Sequence, residues 1–169
     1  TMYSALLHES YYMYNWVEST HVLTLMISLG MLFLIDLRLL GYAFPDVPAS
    51  TMADRLFLPM IIGFVIMFIT GILLFYAVPV RSAQSVWFRI KMVLLVACAV
   101  NSFLLHRRMG QSVGSWDQDL RAPSGIRIGA WLSLGFWSVV VICGRFIAYD
   151  WLDCIRNQPA FIDFVAGCI

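Results

Sequence analysis

Charge is scarce in this chain. Of its 169 residues only 12% are Asp, Glu, Lys or Arg, against 61% hydrophobic, and the mean hydropathy is +0.82. Soluble domains carry about twice that charged fraction, so a water-soluble enzyme is excluded. The formal net charge is +1 and the longest basic run is Arg107-Arg108, which leaves no broad field to attract nucleic acid. The cysteines at 98, 143, 154 and 168 include no CxxC pair, which removes a zinc or thioredoxin-type reading. There is no HExxH, no Ser/His/Asp set and no pair of carboxylates at catalytic spacing. A membrane enzyme stays open, but the expectation is a chain that is not an enzyme on its own. No internal repeat is visible, and residues 1–14 lack the basic start and long apolar run of a signal peptide.

What is abundant is long apolar sequence. Four segments, about 16–42, 55–78, 85–108 and 126–149, exceed the length needed to cross a bilayer. Lipid cannot satisfy exposed backbone groups, so each segment should be a helix. The fold class expected is all-α: an integral membrane four-helix bundle forming one transmembrane domain over residues 1–169, with short interfacial segments at both ends. The loop GYAFPDVPAS breaks the chain after the first span, Pro79 after the second, and MGQSVGSWDQDLRAPSG after the third. Pro59 is expected in the first turn of its helix, where proline is tolerated. Gly63, Met67 and Gly71 on the second span, and Gly125, Gly129 and Ser133 on the fourth, form small-residue faces suited to close helix packing. Cys98 and Cys143 should be buried apolar side chains. Cys154 and Cys168 in the tail could bridge in an oxidising compartment.

An even number of spans places both termini on one side. The opposite side receives Arg38, Arg55, Arg107, Arg108, Arg121 and Arg127 and is the more basic, so by the positive-inside rule it is cytoplasmic and both termini are external.

Ionisable groups within spans are costly and are functional candidates by default. They fall into two layers. Near the terminal face lie Glu18 and His21 on the first span, Lys91 on the third and Arg145 on the fourth. If these converge, a carboxylate and an imidazole stand beside two cations, a site for a metal, a haem propionate, a quinone head group or a lipid phosphate. His8 joins this layer if the N-terminal segment folds back. Against this stands plain structure: Lys91 and Arg145 snorkelling to head groups, and His21 bonding across helices. Near the basic face lie Asp36, Arg38, Asn101 and His106. Asp36 and His106 could meet, since an Asp orients a ligand imidazole well, and Met60 lies at the depth of His106. The metal-ligand candidates are His21 and His106.

The runs HVLTLMISLGMLFLIDLRLLG and KMVLLVACAVNSFLLH carry His21, Asp36, Arg38, Gly41, Lys91, Asn101 and His106. On these positions the chain resembles a family of small bacterial four-span membrane proteins of unknown function, over about the first 110 residues. More loosely it is similar to copper-resistance D-type and b-type cytochrome membrane domains. The resemblance implies a bacterial inner membrane and a haem b or copper cofactor. His21 and His106 lie near opposite surfaces and the second and fourth spans hold no His, so a diheme arrangement does not fit this chain alone, while a single haem ligated by His21 and His8, or by His21 and a His from a partner chain, stays open. The expected function is a subunit binding haem b or copper near the external face through His21, for electron transfer or metal handling. The alternative is a non-catalytic structural or assembly subunit of a larger complex. Expected partners are the lipid bilayer and other membrane or periplasmic subunits, or a second copy of the chain, with no nucleic acid.

Overall fold

A computed structural model of the chain describes residues 11–149 and Phe161. Its long helices are α1 (Tyr11–Leu40), α2 (Ala49–Ala77), α4 (Val86–Ser112) and α5 (Ser124–Ala148). A short helix α3 (Pro79–Ala83) joins α2 to α4, and a 3-10 turn (Val113–Ser115) follows α4. All four long helices are long and apolar enough to cross a membrane, and there is no strand among the described residues. The shortest, at 25 residues, spans about 37 Å at 1.5 Å per residue, more than the ~30 Å hydrocarbon layer. The surface carries the composition of a core: Val93 is 71% exposed, Met26 68% and Leu58 66%. Side chains of this kind point outward in quantity only where the solvent is lipid. The protein is a multi-pass membrane protein.

Helix α1 packs on α2 and on α5, and α4 packs on α5. The ring of four closes where α2 meets α4 through aromatic pairs, Phe57 on His106 at one end and Phe75 on Phe88 at the other. Phe64 of α2 reaches Trp137 of α5, with ring centroids 5.0 Å apart. The small-residue faces sit in the tightest seams. Gly63 faces Ser28 and Gly71 faces His21, both on α1, while Gly129 faces Leu105 and Asn101 on α4. A side chain at Gly63 would collide with the Ser28 hydroxyl, so the α1–α2 approach depends on that missing Cβ.

Helix α2 begins at Ala49, earlier than its apolar run predicts, so Pro59 stands well inside the helix rather than in its first turn. The early start has a tertiary cause. Pro48, the N-cap residue, has no side-chain donor or acceptor to offer. Asp117, from the loop after α4, takes over its role. Its carboxylate accepts from the Ser50 amide at 2.7 Å and the Ser50 hydroxyl at 2.6 Å, and its carbonyl accepts from the Ala49 amide at 3.3 Å. Within the described residues α1 runs from Tyr11, so residues 11–15 of the expected interfacial segment 3–15 belong to the first membrane helix. The remainder of that segment and the C-terminal tail with Cys154 and Cys168 lie outside the described residues. Cys98 and Cys143 are free and buried.

Arg38 holds the loop face together. Only 2% exposed, it donates from Nε to the Val47 carbonyl at 2.6 Å and from its two Nη atoms to the carbonyls of Asp117, Asp119 and Leu120. One guanidinium thus ties the α1–α2 loop to the α4–α5 loop. The Ala122 amide donates to the Leu39 carbonyl at 3.1 Å beside it, and Trp116 is buried with its Nε1 donating to the Ser112 hydroxyl. Gly41 turns the chain at φ 80°, where an added Cβ would lie 2.6 Å from both the Leu120 carbonyl oxygen and Arg121 Cγ.

Two outcomes are expected. Arg38→Met fills similar volume but donates nothing, and each orphaned carbonyl costs on the order of 1 kcal/mol or more. Unfolding in mixed micelles should show a loss of about 3 kcal/mol in total, whereas Arg107→Met on the exposed surface should stay within about 0.5 kcal/mol. The second concerns pH. Partial desolvation opposes ionisation of Asp117, but the Ser50 hydroxyl and amide, the Arg38 guanidinium and the Ala49 amide together hold its carboxyl below the usual carboxylate range. Its folded value lies below its unfolded one, so its contribution is present above the ordinary carboxylate range and is lost as pH falls through the lowered value. Acidification should therefore speed amide exchange at the start of α2, and Asp117→Asn should show fast exchange there already at neutral pH.

Candidate functional site

The interior near the terminal face is built around His21, ten residues into α1. Its Nδ1 lies 3.0 Å from the Met67 carbonyl oxygen and 3.0 Å from Thr70 Oγ1, both on α2. A carbonyl oxygen can only accept, so Nδ1 carries the hydrogen. The Thr70 hydroxyl donates to the Ile66 carbonyl at 2.8 Å or to that of Met67 at 3.0 Å, and offers its lone pair to the same Nδ1–H. Met67, Thr70 and Gly71 fall at i, i+3 and i+4, hence on one face of α2. Gly71 leaves the ring its place: an added Cβ would lie 3.2 Å from His21 Cε1. The ring is thus gripped on one edge, and in its neutral form Nε2 keeps a lone pair. That is the posture of a ligand histidine, whose second nitrogen is anchored to a carbonyl.

Lys91 enters from α4. Its Nζ lies 3.8 Å from the position a Cβ would take on Gly144 of α5, and its charge acts on both His21 and the fully buried Cys143. Among the described residues, no hydrogen bond or ion pair reaches this ammonium. Lys91 therefore stands within electrostatic reach of His21. The structure leaves the other two members of the expected layer outside. Glu18 is exposed and lines an open groove on the outer face of α1 with Asn15, Ser19, Val22, Leu23 and Met26. Arg145 is exposed and turns to Tyr149, donating to its hydroxyl at 2.6 Å with the guanidinium 4.9 Å from the ring centroid. His8 lies outside the described residues.

The layer at the basic face is dispersed. His106 is exposed and stacks on Phe57, with centroids 5.7 Å apart. Asp36 is fully buried and makes no hydrogen bond or ion pair with it. Asn101 donates from Nδ2 to the Gly129 carbonyl at 3.0 Å, joining α4 to α5. Arg38 serves the loops, and Met60 is buried in the core. Among the described residues no three His, Cys, Asp or Glu side chains gather as a metal would need. Sequence reasoning missed Thr70 and Cys143 as neighbours of the site. The signal for Thr70 was its place on the Gly63/Met67/Gly71 face, which reads from sequence as packing alone.

A model of the Family of unknown function (DUF6644) matches residues 8–150. The chain belongs to this family. The DUF6644 match takes in the whole described bundle, including α5, and so reaches beyond the first 110 residues that carry the resemblance. No curated protein and no solved structure matches the chain. The looser similarity to copper-resistance D-type and b-type cytochrome domains finds no support in these comparisons.

The anchored ring of this DUF6644 chain makes a direct prediction. Nitrogen NMR of the histidine-labelled protein in bilayers should show His21 with its hydrogen on Nδ1. Gly71→Val should displace the ring and abolish that signature, whereas Gly135→Val, at a site with open space around it, should leave it intact.

Proposed function

We propose that this DUF6644 protein is a membrane-embedded subunit that binds a redox or metal cofactor, haem b or copper, near the face bearing its N-terminus, serving electron transfer or metal handling. The observation that carries the reading is the anchorage of His21: Nδ1 is held by the Met67 carbonyl and Thr70, which leaves the Nε2 lone pair of the neutral ring for a ligand, and the Lys91 charge acts on the same ring. His21 would supply the ligand nitrogen, and Lys91 would meet a propionate or another anion. The second ligand would come from His8 or from a partner chain. When bound, the cofactor supplies one-electron chemistry; the chain holds it, orients the imidazole through α2 and keeps lipid-phase surroundings about it.

The exposed Arg55, Arg107, Arg108 and Arg121 all lie toward the loop face, which supports an orientation with that face cytoplasmic and both termini external, in a bacterial inner membrane. A second reading, a structural or assembly subunit, is favoured by α4, on which Cys98 is the one buried residue. Another membrane or periplasmic subunit, or a second copy, would cover that helix.

The protein purified in mild detergent should show a Soret band or stoichiometric copper by elemental analysis. His21→Ala should lose it with helical content unchanged, and Thr70→Val should weaken binding by about tenfold, as expected for a group that orients a ligand. Wild-type protein with neither a Soret band nor copper would overturn the reading. A stable monomer after gentle extraction would count against the subunit alternative.

A further inference from the structure

The lower half of the bundle contains an ionisable group that no other feature employs. Asp36 is 0% exposed, and neither carboxyl oxygen has a hydrogen-bond partner. Facing it from α5 is Ser133, 2% exposed, whose hydroxyl also lacks a partner. Ser133 stands near enough to act on the carboxyl, although the pair falls outside hydrogen-bond geometry. One turn further along α5 the indole Nε1 of Trp137 is a second buried donor without a partner. Serine in a helix commonly donates to the carbonyl four residues back. Here that carbonyl, Gly129, already accepts from Asn101.

Among the described residues no counterion answers Asp36. Arg38, two residues on, is committed to the loop carbonyls. On α2, Asp54 and Arg55 are exposed. On α5 the nearest charge along the helix, Arg127, has an Nε with no partner, and on α4 His106, Arg107 and Arg108 are exposed. Among the described residues none forms an ion pair or hydrogen bond with Asp36. An isolated carboxylate in such surroundings costs many kcal/mol, and the group is neutralised instead. A hard metal cation needs about six oxygen ligands, and the side chains here offer three without partners, two from Asp36 and one from Ser133. A proton needs one oxygen to bind and one neighbour to accept its hydrogen bond.

We propose that Asp36 is a membrane-embedded proton-binding carboxyl with Ser133 as its hydrogen-bonding partner. Hydronium gives up its proton, an O–H bond forms on one carboxyl oxygen, and water is released; the reverse step returns the proton to water. The site is independent of the His21 reading and lies toward the opposite end of α1.

Infrared difference spectroscopy of the wild-type protein in liposomes at neutral pH tests it. A protonated carboxyl C=O band is expected that shifts down in D2O, is absent in Asp36→Asn, and moves to higher frequency in Ser133→Ala as the hydroxyl is lost. Reaction with a hydrophobic carbodiimide should label the Asp36 peptide, and sodium should leave that labelling unchanged. Should Asp36→Asn fail to fold, the Ser133→Ala shift and the labelled peptide still decide. A spectrum with no protonated band at neutral pH, a band indifferent to Ser133→Ala, or labelling suppressed by sodium would each overturn the proposal, the last in favour of a bound cation.

Discussion

Hydrocarbon offers no hydrogen bonds, and every polar group carried into this bundle answers to that fact. Main-chain groups are matched within the helices. Side chains have to find partners across them, and the partners they find decide which helices touch. Thr20, Thr24 and Thr70 donate back to carbonyls of their own turns, as does Ser138, which hides their hydroxyls at little cost. Asn101 and His21 have no such local option. Each reaches a carbonyl on a neighbouring helix, Gly129 for one and Met67 for the other. Those two contacts lie in the α4–α5 and α1–α2 seams, where glycines bring the backbones close. Small residues and interhelical polar bonds therefore work together, because a side-chain nitrogen reaches a foreign carbonyl only where the helices approach closely.

The two ends of the bundle are built on different terms. At the loop face a single buried cation is fully matched by main-chain oxygens, and Asp117 caps a helix that its own N-cap residue cannot. That network is complete. At the terminal face an imidazole is gripped on one side only and a lysine stands beside it among the described residues without a hydrogen bond. Asp36 and Ser133 are incompletely matched in the same way. Natural structures leave few buried polar atoms unsatisfied, and those that remain call for an explanation in terms of a ligand, ion or reaction. The function proposals rest on this contrast between a finished polar network and two unfinished ones.

Several features of the site escaped the sequence for a common reason. Glu18 and His21 are three residues apart and so share a helix face, but a shared face is wide: His21 turns into the α2 seam while Glu18 stays at the surface. Arg145 lies near the right depth, yet Tyr149 one turn later gives it a partner at the surface. Depth along a helix is readable from residue number, whereas the angle around the axis at which a neighbour packs is not. Asp36 and His106 match in depth and fail in angle.

Composition and hydropathy alone determined that this chain is an all-helical, four-span membrane protein, because the free energy of placing apolar sequence in lipid depends on the segment and hardly on its neighbours. They also marked His21, Lys91, Asp36 and Arg38 as unusual, since an ionisable side chain in such a segment always demands a partner. Which partner it obtains was left to tertiary structure. Arg38 closing two loops, Asp117 capping a distant helix and Thr70 holding an imidazole all join residues far apart in the chain, Arg38 and Asp117 by 79 positions. Contacts of that range follow from helix order and rotation, and a single sequence encodes those only through the sum of all its packing.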